Sequence, residues 1–141
     1  MFVNNTYQFR LKEWVNFRKG LETSKTPFND ILEEFRQIPL VSIQVDPYDE
    51  STWTDPWTMI LENEFCNFAI ILFIGYTLQL TDRFCNDTFE IHICTNIEKS
   101  ELTYLLYVND DILNYENNTV INSGQISSDL IIEKKYTLPC M

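Results

Sequence analysis

Few residues of this sequence are suited to nucleophilic chemistry: four cysteines (Cys66, Cys85, Cys94 and Cys140) and a single histidine, His92. An imidazole within hydrogen-bond reach of a thiol can take its proton, and the sulfur then attacks a carbonyl carbon. Cys66 and His92 are the pair closest to the predicted core. A simpler interpretation makes Cys66 a small buried apolar residue and puts His92 on the open face of a strand. We favour the simpler interpretation, which assigns no catalytic residue.

Other chemistry finds less support in the spacing of the residues. Glu62 and Glu64 are two positions apart and would not share a helix face, and Asp110 and Asp111 fall in a predicted turn. The sequence has no C-x-x-C pair and no zinc-ligand spacing, and its three glycines do not form a phosphate-binding loop. We therefore predict no metal site and no cofactor.

The charge balance limits the partners. There are 21 acidic and 10 basic residues, giving a net charge of −11. This charge disfavours direct binding to nucleic acid and to anionic membranes. It permits a basic protein partner, or the role of an acidic inhibitor that imitates nucleic acid. No secretory signal opens the chain, so reduced cysteines are expected.

The central element is the stretch from Asp55 to Asp82. Asp55 is suited to cap a helix, and Pro56 fits its first position. The run FAIILFI is apolar on every side but too short to span a bilayer. We predict one continuous, buried helix from Pro56 to Leu80. In the rival interpretation, Phe68–Tyr76 is a buried strand.

The elements around this helix predict an α+β domain over residues 1–141. Helices are expected at Leu11–Glu22 and from Pro27 to Ile38, before five strands that short loops make antiparallel. The predicted strands are Phe89–Cys94, Leu102–Val108, Ile112–Tyr115, Thr119–Ile121 and Leu130–Leu138. The N-terminal helices and the long central helix should pack on a sheet of four to five strands. Residues 1–10 form a possible extended arm, residues 40–45 a short strand, and residues 46–55 an acidic, aromatic loop.

This layout resembles the core of the papain-like and transglutaminase-like superfamily. The resemblance covers Pro56 to Tyr115 and rests on the order of the elements and on the strand pair TYLLYVNDDILNY. In that family the nucleophilic cysteine begins the helix, but Pro56-Trp57-Thr58 contains none. Thr103 stands where the family has its histidine. The resemblance therefore implies a scaffold with empty catalytic positions; the alternative is a cysteine-dependent transglutaminase-like or peptidase-like enzyme that uses Cys66 and His92.

The fragments VDPYDESTW, TDPWTMI and YTLQLTDRF resemble uncharacterised proteins of marine T4-like tailed bacteriophages. This resemblance implies a non-enzymatic structural or accessory protein that acts by protein–protein interaction in the virion or host cytoplasm. Its partners would be other virion or phage proteins or a second copy of the chain. Aromatic residues of the N-terminal segment and of the acidic loop are predicted to bind them: Phe2, Tyr7, Phe9, Tyr48 and Trp53.

Overall fold

Helices precede strands in the computed structural model, which describes residues 6–42, 45–115 and 118–139. The helices are α1 (Tyr7–Leu21), α2 (Pro27–Phe35), α3 (Pro56–Glu62) and α4 (Asn67–Gln79). The strands are β1 (Phe89–Asn96), β2 (Glu101–Val108), β3 (Asp111–Asn114), β4 (Thr119–Asn122) and β5 (Leu130–Thr137). Two single turns of 3-10 helix cover Glu50–Thr52 and Ser123–Gln125. The prediction of an α+β fold is confirmed.

The five strands form one antiparallel sheet in the order β4-β3-β2-β1-β5. β1 and β2 pair over their full lengths, from Phe89 opposite Val108 to Asn96 opposite Glu101. β3 is shorter and pairs with β2 only from Leu106 to Val108. β5 pairs with the other side of β1, with a bulge after Ile93.

Helix α4 lies between the sheet and the other helices. Its residues from Phe68 to Gln79 are all buried, as an all-round apolar sequence predicts. Ile91 and Leu106 belong to the same hydrophobic cluster as α4, so one face of β1 and β2 covers the helix. Residues of α1, α2 and α3 complete that cluster. The core is thus a layer of helices on one face of the sheet.

The prediction of one continuous helix from Pro56 to Leu80 is wrong, because the chain breaks between α3 and α4. Asn63 takes a left-handed conformation (φ 53°, ψ 39°), and its N–H bonds to the Met59 carbonyl. Phe65, which is fully buried, forms a parallel bridge with Leu40. Asparagine tolerates the left-handed region better than most residues, and the bridge draws the chain out of the helical path. The rival strand at Phe68–Tyr76 is also wrong.

The predicted arm over residues 1–10 is contradicted where the structure describes it. Helix α1 begins at Tyr7 rather than Leu11, and residues 1–5 lie outside the described ranges. The buried Arg10 donates from Nε to the Ile60 carbonyl at 3.0 Å and from Nη2 to the Leu61 carbonyl at 3.2 Å. These carbonyls end α3, so Arg10 provides the bonds that their helix no longer offers.

The predicted strand at residues 40–45 is reduced to the single bridge of Leu40 with Phe65; residues 43 and 44 lie outside the described part. The acidic loop contains the 3-10 turn at Glu50–Thr52. Within the described residues, no helix has both the length and the apolar character that crossing a membrane requires.

Candidate functional site at the start of helix α4

The break before α4 gives Cys66 its position. Cys66 has an extended backbone (φ −100°, ψ 173°) and is the N-cap residue of α4, with its carbonyl accepting the first helical bond from the Ile70 N–H at 3.1 Å. Its side chain is 4% exposed and makes no capping hydrogen bond. The first-turn N–H groups of a helix have no partner within the helix and favour negative charge. The thiol therefore lies beside a group of amides that is suited to an anion.

A cavity of about 290 Å³ opens on one side of Cys66. Its lining comes from four described residues between positions 40 and 47, from the start of α4 and from the start of β2. Leu40, Val41, Val45, Pro47, Cys66, Asn67, Phe68, Glu101, Leu102 and Tyr104 line it. Most of these residue types are apolar, and Glu101 is the one carboxylate among them; Glu101 also lines a separate cavity with Lys99 and Thr103.

A second cavity, of about 180 Å³, is also lined by Cys66. It is formed by α3, the break and the start of α4, with Val45, Thr54, Met59, Glu62, Glu64, Cys66 and Ala69 as lining residues. Both Glu62 and Glu64 are exposed at its rim. Cys66 and Val45 thus line both cavities.

His92 does not belong to this site. Ile91 packs into the cluster that contains α4, and successive strand residues point to opposite faces, so His92 lies on the other face of the sheet. There its ring stacks on Tyr107 at 3.8 Å, and its Nε2 lies 3.0 Å from Glu90 Oε1. The Cys66–His92 pair that the enzyme alternative required is therefore not formed. As predicted, His92 lies on the face of the sheet that does not pack on α4. Its side chain is nevertheless buried there rather than open to solvent.

Burial lowers the pKa of His92 below its usual 6.5, although the hydrogen bond that the ring donates to Glu90, together with the charge of Glu90, raises it in part. The neutral ring donates from Nε2 to Glu90, and Nδ1 has no partner among the described residues. The unfolded chain then takes up a proton at a higher pH than the folded one. The contribution of His92 to the free energy of unfolding is therefore complete above pH 6.5, and it is lost as the pH falls below that value.

We therefore expect the free energy of unfolding to decrease between about pH 7 and pH 5.5. A His92→Gln variant should show a flatter dependence in that range, because glutamine does not titrate. Urea denaturation at several pH values measures both slopes. Equal slopes in the variant and the parent chain would contradict the assignment.

The other described cysteines serve as references for Cys66. Cys94 is fully buried beside Leu105 and Ile112, and burial raises the pKa of its thiol to about 11. Cys85 is exposed and lies 3.4 Å from the Asp82 carbonyl. None of these three cysteines forms a disulfide. The Cys85 thiol is thus accessible to solvent and the Cys94 thiol is buried. Neither residue lines a cavity that Cys66 lines.

The predicted partner-binding residues are spread over several places. Phe9 is exposed on α1, Tyr7 packs partly against the core, and Tyr48 is exposed in the acidic loop. The Trp53 ring contacts Phe68 at 5.2 Å and Tyr136 at 5.0 Å, as expected for a loop attached to its own domain. Phe2 lies outside the described residues. Partner binding by these residues stays a prediction.

Sequence reasoning missed the walls of the site. Glu101, Leu102 and Tyr104 line the cavity beside Cys66 from β2, whereas we compared Thr103 with the family histidine. Thr103 pairs with Cys94 and points to the far face. The alternation along TYLLYV could have shown which residues face Cys66, because Tyr104, Leu106 and Val108 share the face that packs on α4.

The comparisons with known proteins give one consistent result. No protein-family model and no curated protein sequence matches the chain. Solved structures of Legionella pneumophila LapG are similar: the calcium-bound form has a TM-score of 0.68 at 14% identity, over 94% of this chain and 77% of LapG. A second LapG structure has a TM-score of 0.69 at 13% identity, over 94% and 77%. The EGTA-treated form gives 0.68 at 13%, over 94% and 75%.

LapG is a transglutaminase-like cysteine protease. This likeness overturns our prediction of a non-enzymatic structural or accessory protein, because the shared fold is that of an enzyme. Residues 6–42, 45–115 and 118–139 contain no group of three His, Cys, Asp or Glu side chains placed to hold a metal ion. The helices and the sheet of this chain thus share the fold of LapG.

Proposed function

We propose that the chain is a cysteine-dependent acyl-transfer enzyme of the peptidase or transglutaminase type, with Cys66 as the nucleophile. The observation that carries this proposal is the position of Cys66, the N-cap of the buried helix α4 and part of a cavity wall. The likeness in fold to LapG supports it. Reactive cysteines are typically found at helix N-termini, where the thiolate is stabilised.

The reaction follows from the groups at the site. Cys66 Sγ attacks the carbonyl carbon of an acyl donor, and the thiol proton passes to a nearby base. The first-turn N–H groups of α4 are placed to bind the oxygen that becomes negative. The tetrahedral species then expels the protonated amine and leaves a thioester on Cys66. Water or a second amine attacks that thioester and releases the acyl product.

The base differs from the usual imidazole, because His92 lies on the far face of the sheet. Glu101 lines the Cys66 cavity, but alternation along β2 places its side chain on the far face with Thr103, where it lines another cavity with Lys99 and Asn114. We therefore assign the role of proton acceptor to a water molecule in the Cys66 cavity. Water is a weaker base than an imidazole, so we expect slow turnover. His92→Gln should then leave the rate of acylation unchanged.

The test is acylation of the folded chain by a small activated ester. We expect a hydroxylamine-labile adduct on Cys66, located by mass spectrometry of the digested protein. Cys66→Ala should lower the rate of acyl transfer by more than about a thousandfold. Cys85→Ser is the matched control and should retain full activity.

Two results would overturn the proposal. The first is acylation of the exposed Cys85 with none at Cys66, since accessibility alone would then govern reactivity. The second is unchanged acyl transfer by Cys66→Ala. Cys94 should remain unmodified in either case, because its thiol is buried and its pKa is raised.

The source and the partner are part of the same proposal. The three phage-like fragments support an origin in a tailed bacteriophage, and the charge of −11 supports a protein substrate rather than nucleic acid or membrane. The enzyme would act in the host cytoplasm or the virion, on another phage protein or a host protein. Mass spectrometry of purified particles tests whether the chain is part of the virion.

A further inference from the structure

We propose that the chain has a second site, on the face of the sheet opposite α4, that binds a free α-amino acid with an uncharged polar side chain. The site is a cavity of about 200 Å³. Cys66 does not line it, so the inference is independent of the proposed acyl-transfer function. It is drawn from a buried hydroxyl, from two opposite charges and from the size of the cavity.

The cavity lies between the sheet and the segment that joins β4 to β5. These strands form opposite edges of the sheet, so the connecting residues 123–129, here called the strap, cross one of its faces. Ile126 of the strap packs on the cluster that contains Leu105. Leu106 packs with α4, so alternation puts Leu105 and the strap on the other face. Sheet and strap both line the cavity, the sheet with Thr103 and Asn114 and the strap with Gln125 and Ser127.

The hydroxyl of Thr103 indicates a polar ligand. Thr103 is 7% exposed and lines the cavity. No residue in the described part of the chain gives its hydroxyl a hydrogen-bond partner. Buried polar groups are nearly always hydrogen-bonded, so an exception at a cavity wall calls for a partner from outside the chain. A polar group of a ligand in the cavity supplies that partner.

Two opposite charges indicate that the ligand is a zwitterion. Lys99 and Glu101 line the cavity from the end of the β1–β2 turn and the start of β2. Neither side chain forms an ion pair with the other or with another described residue. An α-amino acid carries an ammonium and a carboxylate on neighbouring atoms. Its carboxylate would accept from Lys99 and its ammonium would donate to Glu101, and both are charge-assisted hydrogen bonds.

The uncharged groups select the ligand's side chain. The side-chain oxygens of Asn96 and Gln125 accept the backbone N–H groups of Lys99 at 3.2 Å and Asn122 at 3.0 Å. Each amide therefore keeps its NH₂ group as a donor. The Ser127 hydroxyl oxygen likewise accepts a backbone N–H at 3.1 Å. Because these local bonds fix the donors in advance, they favour a ligand side chain with an oxygen acceptor, such as a carboxamide.

The volume limits the ligand to a small molecule. At about 30 Å³ for each molecule of liquid water, the cavity holds about seven waters. It is smaller than the roughly 300–1,000 Å³ of drug-sized sites, so the ligand has on the order of ten non-hydrogen atoms. Ile121 and Leu130 supply apolar lining for its carbon atoms. L-asparagine has this size and chemistry and serves as the probe.

The experiment is calorimetric titration of the full chain with L-asparagine. We expect saturable binding with a dissociation constant below about 1 mM. Three analogues should bind about tenfold more weakly or worse: N-acetyl-L-asparagine, which lacks the ammonium, L-asparaginamide, which lacks the carboxylate, and L-leucine, which lacks the polar side chain. The Cys66→Ala chain should bind L-asparagine as tightly as the parent chain does.

Three variants assign the preferences to their groups. Glu101→Gln should remove the preference for L-asparagine over its N-acetyl analogue, and Lys99→Gln should remove the preference over the amide. Thr103→Val keeps the shape but removes the unpaired hydroxyl. It should lower the affinity about fivefold or more without lowering the melting temperature of the ligand-free chain. Glu98→Gln is the matched control, because Glu98 is exposed in the same turn but does not line the cavity.

Four results would overturn the inference. They are no saturation at concentrations about tenfold above the expected constant, equal binding of L-asparagine and its analogues, binding of D-glucose in place of L-asparagine, and unchanged selectivity in both charge variants. Weaker binding by Cys66→Ala would also count against it, since the probe would then occupy the Cys66 cavity. Acylation of Cys66 is measured separately, so either proposal can fail while the other stands.

Discussion

Replacing Ile71 with aspartate is expected to prevent the chain from folding. Ile71 lies in the middle of α4 and is 1% exposed, between the other helices and the sheet. An unpaired carboxylate at such a position costs several kcal/mol, against a total stability of about 5–15 kcal/mol for a typical domain. Expression in soluble form and far-UV circular dichroism measure the effect.

The matched control for this change is Ile97→Asp. Ile97 is 54% exposed in the turn between β1 and β2, so the same substitution should alter stability by no more than about 0.5 kcal/mol. A normally folded Ile71→Asp chain would show that α4 is not the centre of the core.

Replacing Trp14 with alanine is expected to cost about 3–5 kcal/mol of stability. The Trp14 ring is fully buried and contacts Phe73, with ring centroids 5.4 Å apart. Its Nε1 donates a hydrogen bond to Thr77 Oγ1 at 3.0 Å. The side chain thus joins α1 to α4 by packing and by a polar bond. Urea denaturation followed by circular dichroism measures the loss.

Two further variants separate these contributions. Trp14→Phe keeps a ring but removes the donor, and the Thr77 hydroxyl still bonds to the Phe73 carbonyl at 2.7 Å. We therefore expect an intermediate loss. Trp57→Ala is the control for aromatic content, because Trp57 is 42% exposed and meets Trp14 only by its edge at 6.2 Å. A loss equal to that of Trp14→Ala would contradict the central role of Trp14.

The fold was largely predictable because its signals are local. Thr26-Pro27 precedes a helix with apolar residues at i and i+4 spacing, and α2 begins at Pro27 as predicted. The strands were predictable from the alternation of apolar and polar residues and from the turns at Asn109-Asp110 and Cys85–Asp87. Each of these signals lies within a few residues of the element that it predicts, so no long-range contact is needed to find it.

The site was less predictable because its decisive contacts are between distant residues. The segment Glu62-Asn63-Glu64 is compatible with a helix, and no neighbouring residue requires a break there. The break accompanies the bridge of Phe65 with Leu40, 25 positions earlier. Likewise the cavity that Cys66 lines is completed by residues distant in sequence, such as Leu40 and Tyr104. Helical periodicity alone placed the thiol inside a helix, where no substrate would reach it.

The bulge in β5 has a consequence for how the chain behaves when concentrated. β5 is an edge strand, and Ile131 and Ile132 are exposed on it at 49% and 42%. A flat edge of this composition would recruit the same edge of a second molecule and start a fibril. The bulge interrupts the hydrogen-bond register there, and the charges of Glu133, Lys134 and Lys135 follow at once. The β5 edge of the sheet is therefore protected against self-association at high concentration.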